Sequence, residues 1–381
     1  MEKLFNIIEQ NTDTYKQFWI DICNIEGISA DKAAVDEVSS FIEKFCCNKG
    51  FDVKRFPFEK AGDCLIVEMN ADSNEKGFVF LAHMDTVHEK GKFGSPAVTE
   101  KDGILYGPGV IDCKGGIAVA LLTMQALMEV GYKKHTRLIL TSDEEVSGRL
   151  SGEKGIEFIK EYSRGFTGAF NCEVGICGAI TVGRKGILCQ KIDITGKASH
   201  SGIAYFEGIS AVKEAAYKII EIENHSTEGE TTYNCGLISG GELANIVPQK
   251  CSFLLDTRFA TIADMEKAIE FVNSIVHKSF VNGTKSVVTP ISKRMPMERT
   301  QDNEELFNKI KETCDKYNLE KVEPVVSGGG SDSAYTVMAG VPSVCSVGTI
   351  GDYCHTENEY AEIASLARRA KMLGATITEH K

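Results

Sequence analysis

The residues able to do chemistry are spread widely along this 381-residue chain, and several stand where strands end. The stretch FVFLAHMDTV opens as an apolar run that reads as a buried strand and closes on His83, Met84 and Asp85. Residues i and i+2 of a strand share a face, so His83 and Asp85 project together where the strand leaves its sheet. That pairing suits a metal-bound imidazole whose other ring nitrogen is held by a carboxylate. Asp112 lies between the turn Gly107, Pro108, Gly109 and a helix opening at Lys114, Gly115, Gly116. The acidic run Asp143, Glu144, Glu145 follows an apolar strand over residues 138–140. Three strand ends carrying His, Asp and Glu suggest a metal site at the edge of an α/β sheet.

Each cluster alone has a bland explanation. A His-x-Asp at a strand end is as often a satisfied histidine as a ligand, Asp112 could cap the helix after it, and residues 143–145 could be a solvated turn. Glu173 after its strand is by itself more often a surface carboxylate. His355 could simply lead into the last helix, with Thr356 and Glu359 forming a capping box. The clusters gain weight only jointly.

The elements that must position these residues follow from periodicity. Helices are expected over residues 15–24, 30–48, 117–130 and 155–162, and strands over 51–58, 64–69, 78–82, 137–141 and 168–172. This alternation implies an α/β fold with an open, mixed sheet flanked by helices. Around residues 183–186 the style changes. A strand over 187–195, a helix over 209–222, strands over 232–238 and 250–258, a helix over 263–278 and a strand over 286–290 form a βαββαβ pattern. That pattern suits a small ferredoxin-like α+β domain. A helix over 303–317, strands near 322–326 and 343–347, a helix from Ser333 and a final helix from Tyr360 return to the first style. The expected organisation is a discontinuous catalytic domain (1–184 and 296–381) with an inserted domain (185–295).

Composition bounds the partners. At 43% hydrophobic and 25% charged residues the chain has the make-up of an ordinary globular protein. A net charge of -12 without a basic patch argues against nucleic-acid and anionic-membrane partners. The first residues show no signal-peptide pattern and no window reaches membrane-span length, so a cytoplasmic location is expected. Thirteen cysteines without a CxxC pattern read as reduced core thiols rather than disulfides or a thiolate metal site.

HMDTV, GPGVIDCKGG, TSDEEVSG, NCEVG, GKASHSG, ELANIVP, DTRFA, GGGSDSAY and HTENEY occur in the order and rough spacing of the M20 metallopeptidase family. The resemblance runs from about Gly77 to the C-terminus and is strongest to the glutamate carboxypeptidases of the carboxypeptidase G type. It implies two zinc ions, replaceable by cobalt or manganese. Asp112 would bridge them, His83 and Glu173 would complete one site, and Glu145 and His355 the other. Three carboxylates and a bridging hydroxide would balance the two dications. By the same resemblance Glu144 is the general base, Asp85 orients His83, and a cis peptide follows the bridging aspartate at Asp112–Cys113, where relatives often carry Asp or Met in place of Cys113. In the inserted domain, His200 would stabilise the oxyanion in a partner subunit's site. Asn245 and Arg258 would hold the substrate's oxyanion and terminal carboxylate, although an Arg258–Asp256 ion pair is a competing reading. Gly329 and Gly330 would bring backbone close to substrate.

The implied activity is hydrolysis of the amide bond before a C-terminal residue of small peptides or N-acyl amino acids, by a homodimer paired through the inserted lid domain. Glu at position 173 resembles the carboxypeptidase and deacylase branches, whereas tripeptidase-like branches more often have Asp. The basic residue that helps select glutamate in the most similar branch has no counterpart in VGICGAITVG, and Lys293 or Arg294 is a candidate for another basic contact. An N-acyl amino acid deacetylase or aminoacylase is the first alternative. A non-catalytic homologue is the second, disfavoured because such relatives usually lose ligands. His88, His135, His225, His277 and His380 match no ligand position and read as structural or surface residues.

Overall fold

The structure is a computed structural model and describes residues 1–380. Its contacts divide the chain into two compact units. The first comprises Met1–Gly183, Arg299–Val326 and the chain from Ser331 onward; the second comprises Arg184–Glu298 together with Ser327–Gly330.

The first unit is built on a six-stranded mixed sheet in the order Asp52–Phe56, Cys64–Met69, His135–Thr141, Lys76–His83, Gly168–Asn171, Ser343–Val344. The first two pairings are antiparallel and the remaining three parallel. Cys64–Met69 is buried along its whole length and Lys76–His83 along all but its first residue. Continuous apolar runs such as VFLA are what such doubly covered strands require. The helix Lys114–Glu129 is apolar on every side and buried from Lys114 to Leu127, with the helices Glu2–Asn24 and Ile363–Glu379 packed on it. Lys114 is itself fully buried, and its ammonium donates to the carbonyl of Ile22 near the end of the first helix, 3.0 Å away.

Some boundaries differ from the sequence-based expectation for identifiable reasons. The first helix begins at Glu2 rather than near Tyr15. Leu4, Ile7 and Ile8 extend its buried stripe, while Asn11 and Thr12 bond back to the carbonyls of Ile7 and Ile8 instead of breaking it. The last helix begins at Ile363, because Tyr360–Glu362 is a strand of a small second sheet. That sheet runs Gly351–Asp352, Tyr360–Glu362, Ile104–Tyr106, Thr99–Lys101, and its strands of two or three residues are too short to leave a period in the sequence.

The second unit has a four-stranded antiparallel sheet in the order Thr232–Gly240, Lys250–Phe259, Gly186–Thr195, Lys285–Arg294, with the helices Ala211–Glu223 and Ile262–His277. Gly186–Thr195 alternates between buried and half-exposed positions up to its exposed last residue, the mark of a strand with one covered face. Inside this unit a fully buried Lys218–Glu214 pair ties the two helices together. Lys218 donates to the carbonyls of Ile275 and Val276 at the end of the second helix, and Glu214 accepts from the amides of Phe280 and Val281 just beyond it. Among the described residues, no helix is long and apolar enough to cross a membrane.

Candidate metal centre

His83 ends its strand almost completely buried, 1% exposed. Its Nδ1 lies 3.0 Å from the backbone carbonyl of Asp85 and 3.4 Å from that residue's Oδ1. A carbonyl only accepts, so Nδ1 carries the proton and Nε2 is left to face Asp112 Oδ1 at 3.0 Å and Glu173 Oε1 at 3.8 Å. Asp85 is fully buried and does more than orient the ring. Its Oδ2 accepts from the Ser29 hydroxyl at 2.6 Å and the Glu145 amide at 3.2 Å, and its Oδ1 from the Glu144 amide at 3.2 Å. Burial works to raise its pKa, but hydrogen bonds from His83, Ser29 and the Glu145 amide hold the carboxylate below its ordinary value.

Asp112 lies between two histidines. Its Oδ1 faces His83 Nε2, and its Oδ2 is 3.2 Å from His355 Nε2, which in turn is 3.0 Å from Glu145 Oε2. The Asp112–Cys113 peptide is cis. The four groups form a row in which Asp112 turns one oxygen to each side. Glu173 follows the strand Gly168–Asn171 and is 6% exposed. A Cβ at Gly116 would stand 1.8 Å from the carbonyl oxygen of Cys172, so only glycine lets the helix start approach the backbone beside Glu173. His355 has a left-handed backbone, φ 64°, within a turn closed by the Thr356 amide on the Tyr353 carbonyl. Such conformations are uncommon for a non-glycine residue and concentrate at functional sites.

The electrostatics of this row show what would suit it. Burial lifts the Glu145 carboxyl, the hydrogen bond from His355 opposes that, and the charge of Asp112 adds to it, leaving Glu145 at about 7. Hydrogen bonds to Asp112 and Glu145 push His355 up to about 10. His83, although burial disfavours its charge, is held well above its ordinary value by Cys113, Asp112 and Asp85. Positive charge is thus favoured among these crowded carboxylates. A donor set of two imidazoles and three carboxylates fits divalent cations.

Cys113 is fully buried, and its sulfur accepts from the His83 amide at 3.1 Å. Donor atoms of His83, Cys113 and Glu173 lie within 4.8 Å of one another, as do those of His83, Asp112 and Glu145. Sequence reasoning missed several supports. Asp143 is buried and folds the turn carrying Glu144 and Glu145 by accepting from the amides of Leu150 and Ser151 at 2.9 and 2.7 Å. Ser29 leaves no motif at all. Glu359 makes no capping box with Thr356: its carboxylate accepts from the amides of Gly109, Ile111 and Asp112 and from His88. His88 and His135 are both buried, each with its Nε2 2.7 Å from a carboxylate oxygen, of Glu359 and Glu68 respectively.

In the second unit, His200 is exposed and bridges to Ile246, while the Ser201 amide donates to the Asn245 carbonyl at 2.9 Å. This sets His200 and Asn245 side by side. Arg258 makes the ion pair with Asp256 that the sequence left open, Nε to Oδ1 at 2.6 Å and Nη2 to Oδ2 at 3.1 Å. Its Nη1 donates to the carbonyl of Gly328 at 3.3 Å, and Arg184 donates to that of Gly329 at 3.4 Å, so two guanidiniums hold the glycine loop. A Cβ at Gly330 would meet Arg294 Cδ at 2.6 Å.

Known proteins resemble this chain along most of its length. Carboxypeptidase G2 of Pseudomonas sp. (strain RS-16) is 27% identical over 372 residues, spanning 94% of this chain and 87% of that protein. Succinyl-diaminopimelate desuccinylase of Rickettsia felis is 25% identical over 379 residues, spanning 93% of this chain and 96% of that protein. A tripeptidase from Staphylococcus aureus subsp. aureus Mu50 shares the fold, with a TM-score of 0.80 at 22% identity over 97% of this chain and 98% of that one. A model of peptidase family M20/M25/M40 matches residues 79–379, which include every residue of the row centred on Asp112. The chain belongs to peptidase family M20/M25/M40.

Proposed function

We propose that this metal-dependent hydrolase holds two zinc ions and cleaves the amide bond before a C-terminal residue of small peptides or N-acyl amino acids. The observation that carries this reading is the placement of Asp112, one oxygen toward His83 and the other toward His355 and Glu145. His83 and Glu173 would hold one ion and Glu145 and His355 the other, with Asp112 placed between the two sets. When bound, the zinc ions supply the Lewis acidity that activates water and polarises the amide carbonyl. Glu144, beside Glu145 at the start of the same turn, takes the proton from the attacking water and returns it to the leaving amine. Asp85 keeps Nδ1 of His83 protonated, so that Nε2 remains the donor.

Within this proposal the second unit is the lid and pairs two copies of the chain. His200 of one copy stabilises the oxyanion in the other. Asn245 and the backbone at Gly329 and Gly330 contact substrate, and Arg258 exchanges Asp256 for the substrate's terminal carboxylate. A cytoplasmic location fits the thirteen cysteines, all free thiols here.

Removal of an N-acyl group is the second reading, favoured by the similarity to a desuccinylase. Hydrolysis by zinc-loaded protein of dipeptides with varied C-terminal residues, beside N-acetyl and N-succinyl forms of the same amino acids, separates the two. Turnover of peptides that disappears in Glu144→Ala supports the first reading. Turnover of only the acyl compounds supports the second, and turnover that survives Glu144→Ala overturns the mechanism.

A further inference from the structure

Glu359 stands four residues after His355, and its side chain is 1% exposed. Four donors converge on this one carboxylate. Oε1 accepts from the amides of Ile111 and Asp112 at 3.0 and 3.2 Å; Oε2 accepts from the amide of Gly109 at 3.1 Å and from His88 Nε2 at 2.7 Å. Its backbone carbonyl also accepts from the Gly107 amide at 3.3 Å. These contacts join three loops: the one leaving His83 and Asp85, on which His88 lies, the one carrying Asp112, and the one carrying His355. The strand that begins at Tyr360 pairs opposite Tyr106, which delivers the carboxylate beneath the turn ahead of Asp112.

A buried carboxylate needs such donors for its own sake, and a turn needs an acceptor. What sets Glu359 apart is which segments it connects. Its donors include the backbone of Asp112 itself, and its own backbone continues directly into the loop of His355. The two loops also meet where Asp112 Oδ2 lies 3.2 Å from His355 Nε2. We propose that Glu359 is a positioning residue that fixes the spacing of Asp112 and His355, and so sets the affinity for the ion held by Asp112, Glu145 and His355. This rests on the two-ion reading above. Glu359 touches neither ion nor substrate.

Glu359→Gln replaces one oxygen by an amide NH2 and turns a donor toward other donors, so the clasp loosens without loss of volume. The expected result is retention of one ion and weakening of the other by about 10- to 100-fold, the usual consequence of losing a partner that orients ligands. kcat falls with it while KM stays near the wild-type value. Glu359→Asp keeps the charge and restores part of the affinity, and His88→Phe, which removes one donor of four, gives a smaller weakening.

The test is competition titration of the full-length protein with Zn2+ against a chromophoric chelator, for the wild type and the three variants, with thermal unfolding of the metal-free proteins alongside. Two ions in the wild type and one weakened ion in Glu359→Gln support the proposal. Two ions at wild-type affinity in Glu359→Gln, with loss confined to thermal stability, overturn it and make Glu359 a structural cap. If Glu359→Gln does not fold, His88→Phe is judged on the same readout. Fewer than two ions in the wild type overturns the two-ion reading and this inference together.

Discussion

Asp85→Asn separates the duties of a buried carboxylate that touches three parts of the site. The substitution keeps volume but turns one oxygen into an NH2 group. With the NH2 at the Oδ1 position, it confronts the Glu144 amide and the Nδ1 proton of His83, both donors. With the NH2 at the Oδ2 position, Ser29 can reverse its hydroxyl and accept, but the Glu145 amide still meets a donor. The second orientation is the milder and leaves one buried N–H unpaired, which costs about 1–3 kcal/mol of stability. Loss of the charge behind His83 also weakens metal binding by roughly 10- to 100-fold, about 1.4–2.7 kcal/mol. Denaturant unfolding of the metal-free variant measures the first effect and zinc titration the second. Wild-type metal affinity in a variant destabilised by that amount would refute the orienting role, and unchanged stability would refute the hydrogen-bond accounting.

Three further expectations follow from the same geometry. Glu144→Gln should lower kcat by about 10²–10⁴ while both ions remain bound, and an equal loss of metal would make Glu144 a ligand rather than the base. Hydrogen bonds to Asp112 and Glu145 raise His355 to about 10, so its proton stabilises the metal-free fold fully below the ordinary histidine range, and that contribution disappears as pH rises through 10. With His355 a zinc ligand, as proposed, zinc displaces this proton, so binding near pH 7 should release protons and tighten as pH rises; calorimetric heats independent of the buffer's ionisation enthalpy would contradict this. At Glu68, burial alone would raise the carboxyl, but hydrogen bonds from Lys54, Arg137 and His135 push it down to about 2. A depressed carboxylate stabilises the fold above its ordinary pKa and loses that contribution as pH falls toward 2, here ~3 kcal/mol that Glu68→Gln should remove at pH 7 but not at pH 2.

What could be read from the sequence differs by the range of the contacts involved. Strands such as residues 64–69, buried on both faces, write themselves as apolar runs, and the βαββαβ pattern of the second unit reappears with its boundaries shifted by a few residues. The strands at residues 351–352 and 360–362 are too short to leave a period, although the second of them places Glu359. Residues with chemically distinctive side chains, such as His83, Asp112 and His355, stand out in the sequence, and the structure brings them together. Their supports do not stand out. Ser29, Asp143 and Glu359 act on backbone amides or on residues distant in the chain, and an amide has no letter of its own. Thr356 and Glu359 have the spacing of a helix cap, and only tertiary contacts show the carboxylate turned to another loop. The ion pair of Arg258 with Asp256 was likewise one of two open readings, because residues two apart on a strand share a face whether or not a ligand lies between them.

The most direct test is the zinc content of dialysed wild-type protein and of Asp112→Ala, with amide hydrolysis followed in the same samples. Two zinc ions per wild-type chain, with loss of both tight sites and of hydrolysis in Asp112→Ala, is the result expected if Asp112 is shared between the ions. Hydrolysis persisting in Asp112→Ala, or two ions still held tightly without that carboxylate, would contradict it.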